Sequence, residues 1–311
     1  MNRAVVLGVG GLAIAVATVA AQAPPPGRLI VAFMNSDGEL APVARYDGKV
    51  WRHTWPEPIE FDAPLPVRAV GEIPNTWLDQ PVPLQWTAWS QDTGQQQLVT
   101  VTGVDRDGSC FDAITLATSL TNLRSVGLAF DRPVTVVPIV ERQESSPESL
   151  ALRRDILPHF RRAITRTPIP APGSEDEIGA RVLALARADK SPNPTLILPT
   201  VFRDPRMPLF FLRAEWHFEE ISSGTTYDAL SYSGWFRRDA AGELVPISAS
   251  VETFPIGGDR VPRYTPLGIV RLGATSIWLM SEWGIESQTI VLFESSVTGV
   301  RKLLSTLVSG C

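Results

Sequence analysis

Four ionisable side chains alternate along the sequence LRAEWHFEE, residues 212–220. In an extended strand successive side chains point to opposite faces, so a strand here places Arg213, Glu215, His217 and Glu219 on one face. Two carboxylates, an imidazole and a guanidinium in one row could hold a cation, orient a polar ligand, or act as general acid and base. The alternative is a solvated outer face whose charges pair with neighbouring strands. Burial of Glu215 and His217 would favour the site.

A second acidic pair flanks a glycine turn in the sequence SEWGIE, residues 281–286. Glu282 and Glu286 could bind calcium there, or act as a glycosidase pair if their carboxyl groups lie about 5 to 9 Å apart. The alternative is a hairpin turn with two solvated acids. Together with the acids and the histidine of residues 212–220, this pair makes up the candidate catalytic residues.

Aromatic side chains provide most of the candidate binding residues. The chain contains nine tryptophans, and Trp51, His53 and Trp55 alternate along one predicted strand, which places them on the same face. Two indoles on one face could stack on a sugar or a peptide, although packing in the core is the alternative. Arg213 is the fourth candidate, because a guanidinium binds anionic groups in a bidentate manner.

The motifs that mark common catalytic centres are absent from the sequence. It contains no GxSxG, HExxH, P-loop or GxGxxG motif. Three histidines and two cysteines are too few for a zinc or iron–sulfur framework, so we predict no metal ion and no cofactor. The formal net charge of −5 argues against nucleic-acid binding.

The N-terminus is typical of an export signal. A basic residue, Arg3, is followed by an uncharged apolar segment over residues 4–21 that ends in small residues, which is the pattern of a cleaved signal peptide. We place the signal at residues 1–23 and expect a secreted or periplasmic protein. The alternative is an uncleaved membrane anchor through residues 4–21, since about 18 apolar residues can nearly span a bilayer.

The elements that would position these residues are mostly strands. In the N-terminal β-rich region, residues 24–142, the turn sequences Asp37-Gly38 and Asp47-Gly48 indicate an antiparallel meander. The predicted strands are 29–33, 39–46, 50–55, 67–72, 84–90, 97–104, 125–130 and 134–140. The prolines between them confine several of these strands to short or edge positions.

Residues 143–194 are predicted to form a helical connector. Ser146, followed by Pro147 and an acidic residue, begins one helix, and Pro158 is expected to kink or divide it, since an internal proline costs about 3 kcal/mol. A capping box over residues 174–177 begins a second helix.

The first helix is rich in arginine, with Arg153, Arg154, Arg161 and Arg162 along its length. Facing an anionic leaflet, these side chains could hold the protein at a membrane surface. A solvated helix face is the alternative.

Strands return in the C-terminal antiparallel β region, residues 195–311. The predicted strands are 195–201, 209–221, 230–238, 244–253, 267–272, 276–283 and 289–294. Residues 300–308 are expected to complete a hairpin across residues 297–299, with a final helix as the alternative. The predicted fold class is mainly β, a β-rich α+β protein with antiparallel meanders or barrel-like sheets and a two-helix connector.

The chain has two cysteines, Cys110 and Cys311, and we predict a disulfide between them. Export delivers a chain to an oxidising compartment, where an even number of cysteines usually pairs. Closing a loop of about 200 residues stabilises a fold by up to roughly 5 kcal/mol. Two free thiols, or a bond to another chain, are the alternatives.

The export signal, the density of strands and the lack of a catalytic motif favour a non-enzymatic extracytoplasmic protein with a binding or structural role. The expected partner is a cell-envelope component or a glycan, and no nucleic acid. A membrane would be contacted only through an uncleaved signal or through the basic helix. The alternative function is an extracytoplasmic hydrolase that acts on glycans through paired carboxylates.

Overall fold

The computed structural model is mostly β, with antiparallel sheets and two helices, which confirms the predicted fold class. It describes residues 27–60, 63–107, 111–120, 126–137, 146–169, 177–189, 196–203, 207, 209–218, 228–253, 264–284, 287–296 and 299–310. The strands of the first half are β1 (Leu29–Met34), β2 (Leu40–Tyr46), β3 (Trp51–Arg52), β4 (Ile59–Glu60), β5 (Gln85–Ser90), β6 (Gln96–Asp107), β7 (Phe111–Thr118), β8 (Gly127–Phe130) and β9 (Val136–Val137). The helices are α1 (Pro147–Arg166) and α2 (Glu177–Ala188), and the later strands are β10 (Leu196–Arg203), β11 (Leu209–Phe218), β12 (Asp228–Arg238), β13 (Leu244–Thr253), β14 (Tyr264–Leu272), β15 (Thr275–Gly284), β16 (Ser287–Ser295) and β17 (Val300–Gly310).

Six strands of the first half form a closed barrel in the order β1-β8-β5-β6-β7-β2. The ring closes where β2 pairs with β7, Leu40 opposite Leu116. One cluster of buried side chains draws on all six strands, Ile30 and Trp86 among them, and therefore fills the barrel. The segment between β4 and β5 adds Val67 to the same cluster.

The second half packs on the barrel in layers. Strands β14 to β17 form a sheet whose inner face, with Leu279 and Leu292, packs against the outward side chains of β1 and β2. The opposite face of this sheet contacts a second sheet, β10 to β13, through an aromatic cluster that includes Trp235 and Trp278. Helices α1 and α2 cover the far side of the second sheet. The order of layers is barrel, sheet, sheet and helices.

Helix α1 begins as the sequence predicts. The Ser146 hydroxyl accepts a hydrogen bond from the N–H of Ser149 at 3.2 Å, which satisfies one of the free donors of the first turn. The helix continues through Pro158 without interruption, so the predicted division into two short helices is wrong. Pro158 lies on the exposed face, where the carbonyl that lacks its usual donor can reach water.

Two other expectations have a definite outcome, and one strand was missed. Residues 67–72 do not form a strand: the structure has a short 3-10 turn, Val70–Glu72, because flanking prolines remove backbone donors. Strand β7 was not predicted, although it closes the barrel. Residues 300–310 form β17, paired with β16, so the hairpin prediction is confirmed and the final helix is wrong.

Several predictions fall on residues that the structure does not describe. They concern the signal peptide (residues 1–23), the capping serine Ser174, and the cysteines Cys110 and Cys311. Within the described part of the chain, no helix is long and apolar enough to cross a membrane.

Candidate functional site

The most complete candidate site is a cleft of about 260 Å³ at the seam between the barrel and the sheet β14–β17. We call it the seam cleft. One wall is the hairpin between β2 and β3, and the other is formed by the ends of strands β14 to β17. Its lining residues are Tyr46, Lys49, Val50, Trp51, Leu272, Thr275, Ile277, Glu294, Arg301, Lys302 and Leu303.

The β2–β3 turn shapes the first wall. The Asp47 carboxylate accepts hydrogen bonds from the backbone N–H groups of Lys49 and Val50, both at 2.9 Å. These two bonds hold the pKa of Asp47 below its usual value. The Tyr46 hydroxyl donates to the Gly48 carbonyl at 3.0 Å. The turn is therefore held by its own side chains, with Lys49 projecting from an exposed tip.

This turn brings two aromatic rings together. Tyr46 and Trp51 are paired directly across the hairpin, and their ring centroids lie 5.1 Å apart with planes tilted by 34°. Both side chains are half-buried. A tilted aromatic pair at the rim of a cleft offers a flat apolar face on which a ring-shaped ligand can stack.

The second wall carries charge. Arg301 and Glu294 lie on neighbouring strands, and the Arg301 Nη2 atom is 2.6 Å from the Glu294 Oε2 atom. Lys302 follows on β17 and is exposed. With Lys49, the lining has three cationic groups against one carboxylate, and that carboxylate is already paired. The cleft therefore favours an anionic ligand, and it contains two of the three lysines in the chain.

A second cleft of about 210 Å³ lies at the end of the barrel near the β15–β16 hairpin. Its carboxylate, Glu39, accepts hydrogen bonds from Asn35 Nδ2 and Thr115 Oγ1, both at 3.1 Å. An exposed indole, Trp283, forms part of its rim. Its lining residues include no cationic side chain, so this cleft, unlike the seam cleft, offers no positive charge to an anionic ligand.

Arg213 and Glu215 are not solvated. Their side chains are only 12% and 14% exposed, and the Arg213 Nε atom lies 3.3 Å from the Glu215 Oε1 atom. They share their face of β11 with Phe211 and sit opposite Ser233 and Ser231 of β12, so they face the neighbouring sheet. Burial lowers the pKa of Arg213, and the charge of Glu215 opposes this shift. The pair borders neither of the two clefts.

The other candidate catalytic residues are only partly described. His217 is in β11 opposite Ala229, and nothing is described of its side chain. Glu282 is half-buried in β15, opposite Thr289, and borders neither cleft. Glu219 and Glu286 lie outside the described residues.

Trp51, His53 and Trp55, the candidate binding residues of the predicted strand over residues 50–55, lie in different environments. Trp51 lines the seam cleft, whereas Trp55 is buried and donates its indole N–H to the Ile114 carbonyl at 2.7 Å inside the barrel. His53 is half-buried between them. Strand β3 ends at Arg52, so the alternation that would have placed all three on one face does not continue.

Most of the seam cleft cannot be located from the sequence. Tyr46 could have been found, because a four-residue turn over residues 47–50 places it opposite Trp51. Glu294, Arg301 and Lys302 could not, because no local pattern relates the β16–β17 hairpin to residues 46–51. They meet only through packing of the sheet on the barrel.

The described residues contain no group of three or more histidine, cysteine or acidic side chains arranged to hold a metal ion. Comparison with protein-family models, with curated proteins and with solved structures finds no match.

Proposed function

We propose that the protein is a non-enzymatic extracytoplasmic binding protein whose seam cleft takes an acidic glycan of the cell envelope. The observation that carries this proposal is the pairing of Tyr46 and Trp51 beside Lys49 and Lys302. A sugar ring presents an apolar face that stacks on an indole, and a uronic acid adds a carboxylate that a lysine can pair with.

The seam cleft supports binding better than hydrolysis. Hydrolysis of a glycosidic bond uses two carboxyl groups on either side of the bond. The lining of the cleft includes one carboxylate, Glu294, and Arg301 holds it at 2.6 Å. The candidate acids Glu215 and Glu282 border neither cleft.

Calorimetric titration of the protein with oligogalacturonate, and with neutral maltohexaose as the control ligand, tests the proposal. We expect binding of the acidic oligosaccharide only. Trp51→Ala should weaken it by roughly three- to ten-fold through loss of stacking. The double variant Lys49→Gln/Lys302→Gln should weaken it by about two- to ten-fold, because exposed charge pairs each contribute modestly.

Trp283→Ala is the matched control, because it removes an exposed indole from the other cleft. Equal weakening by Trp283→Ala and Trp51→Ala, or equal affinity for the neutral oligosaccharide, would contradict the proposed site. New reducing ends released from the oligosaccharide would instead establish the hydrolase alternative. N-terminal sequencing of the exported protein tests the extracytoplasmic part, with cleavage expected near residue 23.

A further inference from the structure

The outer face of the helical layer combines exposed arginines with exposed aliphatic side chains. Helix α1 buries Leu152, Ile156, Phe160 and Ile164 against the sheet β10–β13. On its opposite face, Arg154, Arg162 and Arg166 are exposed at spacings of eight and four residues, which places them within the half of the helix that faces away from the sheet. Leu150, in the first turn, lies in the same half of the helix and is 54% exposed.

Positive charge exceeds negative charge along helix α1. Helix α1 has five arginines against Glu148 and Asp155, a net charge of three positive, in a chain whose formal net charge is −5. Asp155 is held by Arg238 at 2.8 Å, and Arg154 approaches it only to 3.6 Å. Arg162 and Arg166 form no ion pair with any other described residue.

Apolar side chains accompany these cations. Besides Leu150, Ile169 just after α1 and Leu185 on α2 are 46% and 38% exposed. Helix α2 packs on the same sheet as α1 through Val182 and Leu183, so the two helices form one layer. We call Leu150, Arg154, Arg162, Arg166, Ile169 and Leu185 the helical surface.

We propose that the helical surface binds the face of an anionic lipid bilayer. A helix that presents cations beside exposed aliphatic side chains can lie in the interface, with its apolar groups in the boundary between headgroups and acyl chains. Arginine side chains extend toward the lipid phosphates while their methylene stems cover apolar area. No residue of α1 or α2 lines either cleft, so a bilayer on the helical surface would leave both clefts unobstructed by direct contact.

The attraction between the arginines and an anionic leaflet determines the expected affinity for vesicles. Each basic residue near an anionic leaflet contributes roughly five-fold in affinity, so three arginines together contribute on the order of 10²-fold. The attraction falls off within a Debye length, so high ionic strength should abolish most of it.

Vesicle sedimentation of the full chain tests this proposal. We expect binding to vesicles that contain phosphatidylglycerol with phosphatidylcholine, little binding to pure phosphatidylcholine, and release at high salt. The triple variant Arg154→Gln/Arg162→Gln/Arg166→Gln should bind the anionic vesicles at least ten-fold less tightly. Its changes are on exposed side chains, and circular dichroism checks that it is folded.

The triple variant Arg28→Gln/Arg52→Gln/Arg68→Gln is the matched control, because it removes the same charge from exposed sites outside the helical layer. It should bind anionic vesicles like the wild type. The double variant Leu150→Asn/Leu185→Asn should weaken binding without changing its salt dependence. Equal binding to both vesicle types, equal loss in both triple variants, or binding to an acidic polysaccharide but not to vesicles would each overturn the proposal.

Discussion

The imidazole of His53 is half-buried, and its buried Nε2 atom has no hydrogen-bond partner among the described residues. Burial lowers the pKa of His53 below its ordinary value of 6.5, and the charge of Glu57 opposes this only in part. The unfolded chain therefore binds a proton at this residue more readily than the folded protein does. Stability contributed by neutral His53 is present above pH 6.5 and falls as the pH drops through 6.5 toward the lower folded pKa.

We therefore expect the substitution His53→Gln to flatten the pH dependence of stability. Between pH 7.5 and pH 5, the wild type should lose more unfolding free energy than the variant, by at most about 1.4 kcal/mol per pH unit for one group. Urea unfolding of both proteins at each pH measures the difference, and the contributions of the other titrating groups largely cancel in it. The same pH dependence in both proteins would show that His53 does not titrate differently on folding.

At the scale of elements, strand β8 shows how tightly the barrel is packed. It is four residues long and lies between β1 and β5, with Gly127 opposite both Met34 and Ser90. A Cβ atom added at Gly127 would lie 2.2 Å from the Trp89 carbonyl oxygen and 2.9 Å from the Met34 Cε atom. The methionine can move aside, but the backbone carbonyl cannot move without disturbing the β5–β8 pairing.

Gly127→Ala should therefore destabilise the protein by about 3 kcal/mol or more, in the range of severe overpacking. Gly71→Ala is the matched control, because nothing lies within 4 Å of the added atom, and its effect should stay within about 0.5 kcal/mol. Urea unfolding monitored by tryptophan fluorescence measures both. If the two variants were equally stable, the close approach of β5 to β8 at this residue would be wrong.

At the scale of the whole molecule, the barrel and the sheet β14–β17 are joined by hydrogen bonds and by a broad apolar contact. Phe111 of β7 pairs with Gly310 of β17, and Thr306 of β17 donates a hydrogen bond to the Val43 carbonyl at 2.8 Å. The seam cleft lies at the other end of β17 from the Phe111–Gly310 pair, beside Arg301 and Lys302. A covalent bond at this junction should stabilise the packing of the sheet on the barrel.

The predicted disulfide between Cys110 and Cys311 would act on this junction, since Cys110 directly precedes Phe111 and Cys311 directly follows Gly310 in the sequence. In the exported protein we expect alkylation of both thiols only after reduction, measured by mass spectrometry. Cys110→Ser, Cys311→Ser and the double variant should each lose the same stability, up to roughly 5 kcal/mol. Two alkylatable thiols without reduction would contradict the bond, and a dimer resolved by reduction would establish pairing between chains.

The sequence by itself determined the features that a few neighbouring residues control. Alternation and turn residues located most strands, including Leu244–Thr253 with the same bounds as β13, and Ser146 with Pro147 marked the start of α1. The mainly β class followed from these patterns. Each of these features depends on interactions within one turn or one strand, so a short segment of sequence is enough to predict it.

Only the tertiary structure decided which strands meet. The barrel closes through Leu40 and Leu116, and the seam cleft brings Trp51 to Lys302; in both cases the partners are far apart in sequence. The burial of Arg213 and Glu215 was likewise decided by the sheet that packs on their face of β11. Such pairings follow from the packing of many side chains at once, because alternation fixes which face a residue occupies but not what that face will contact.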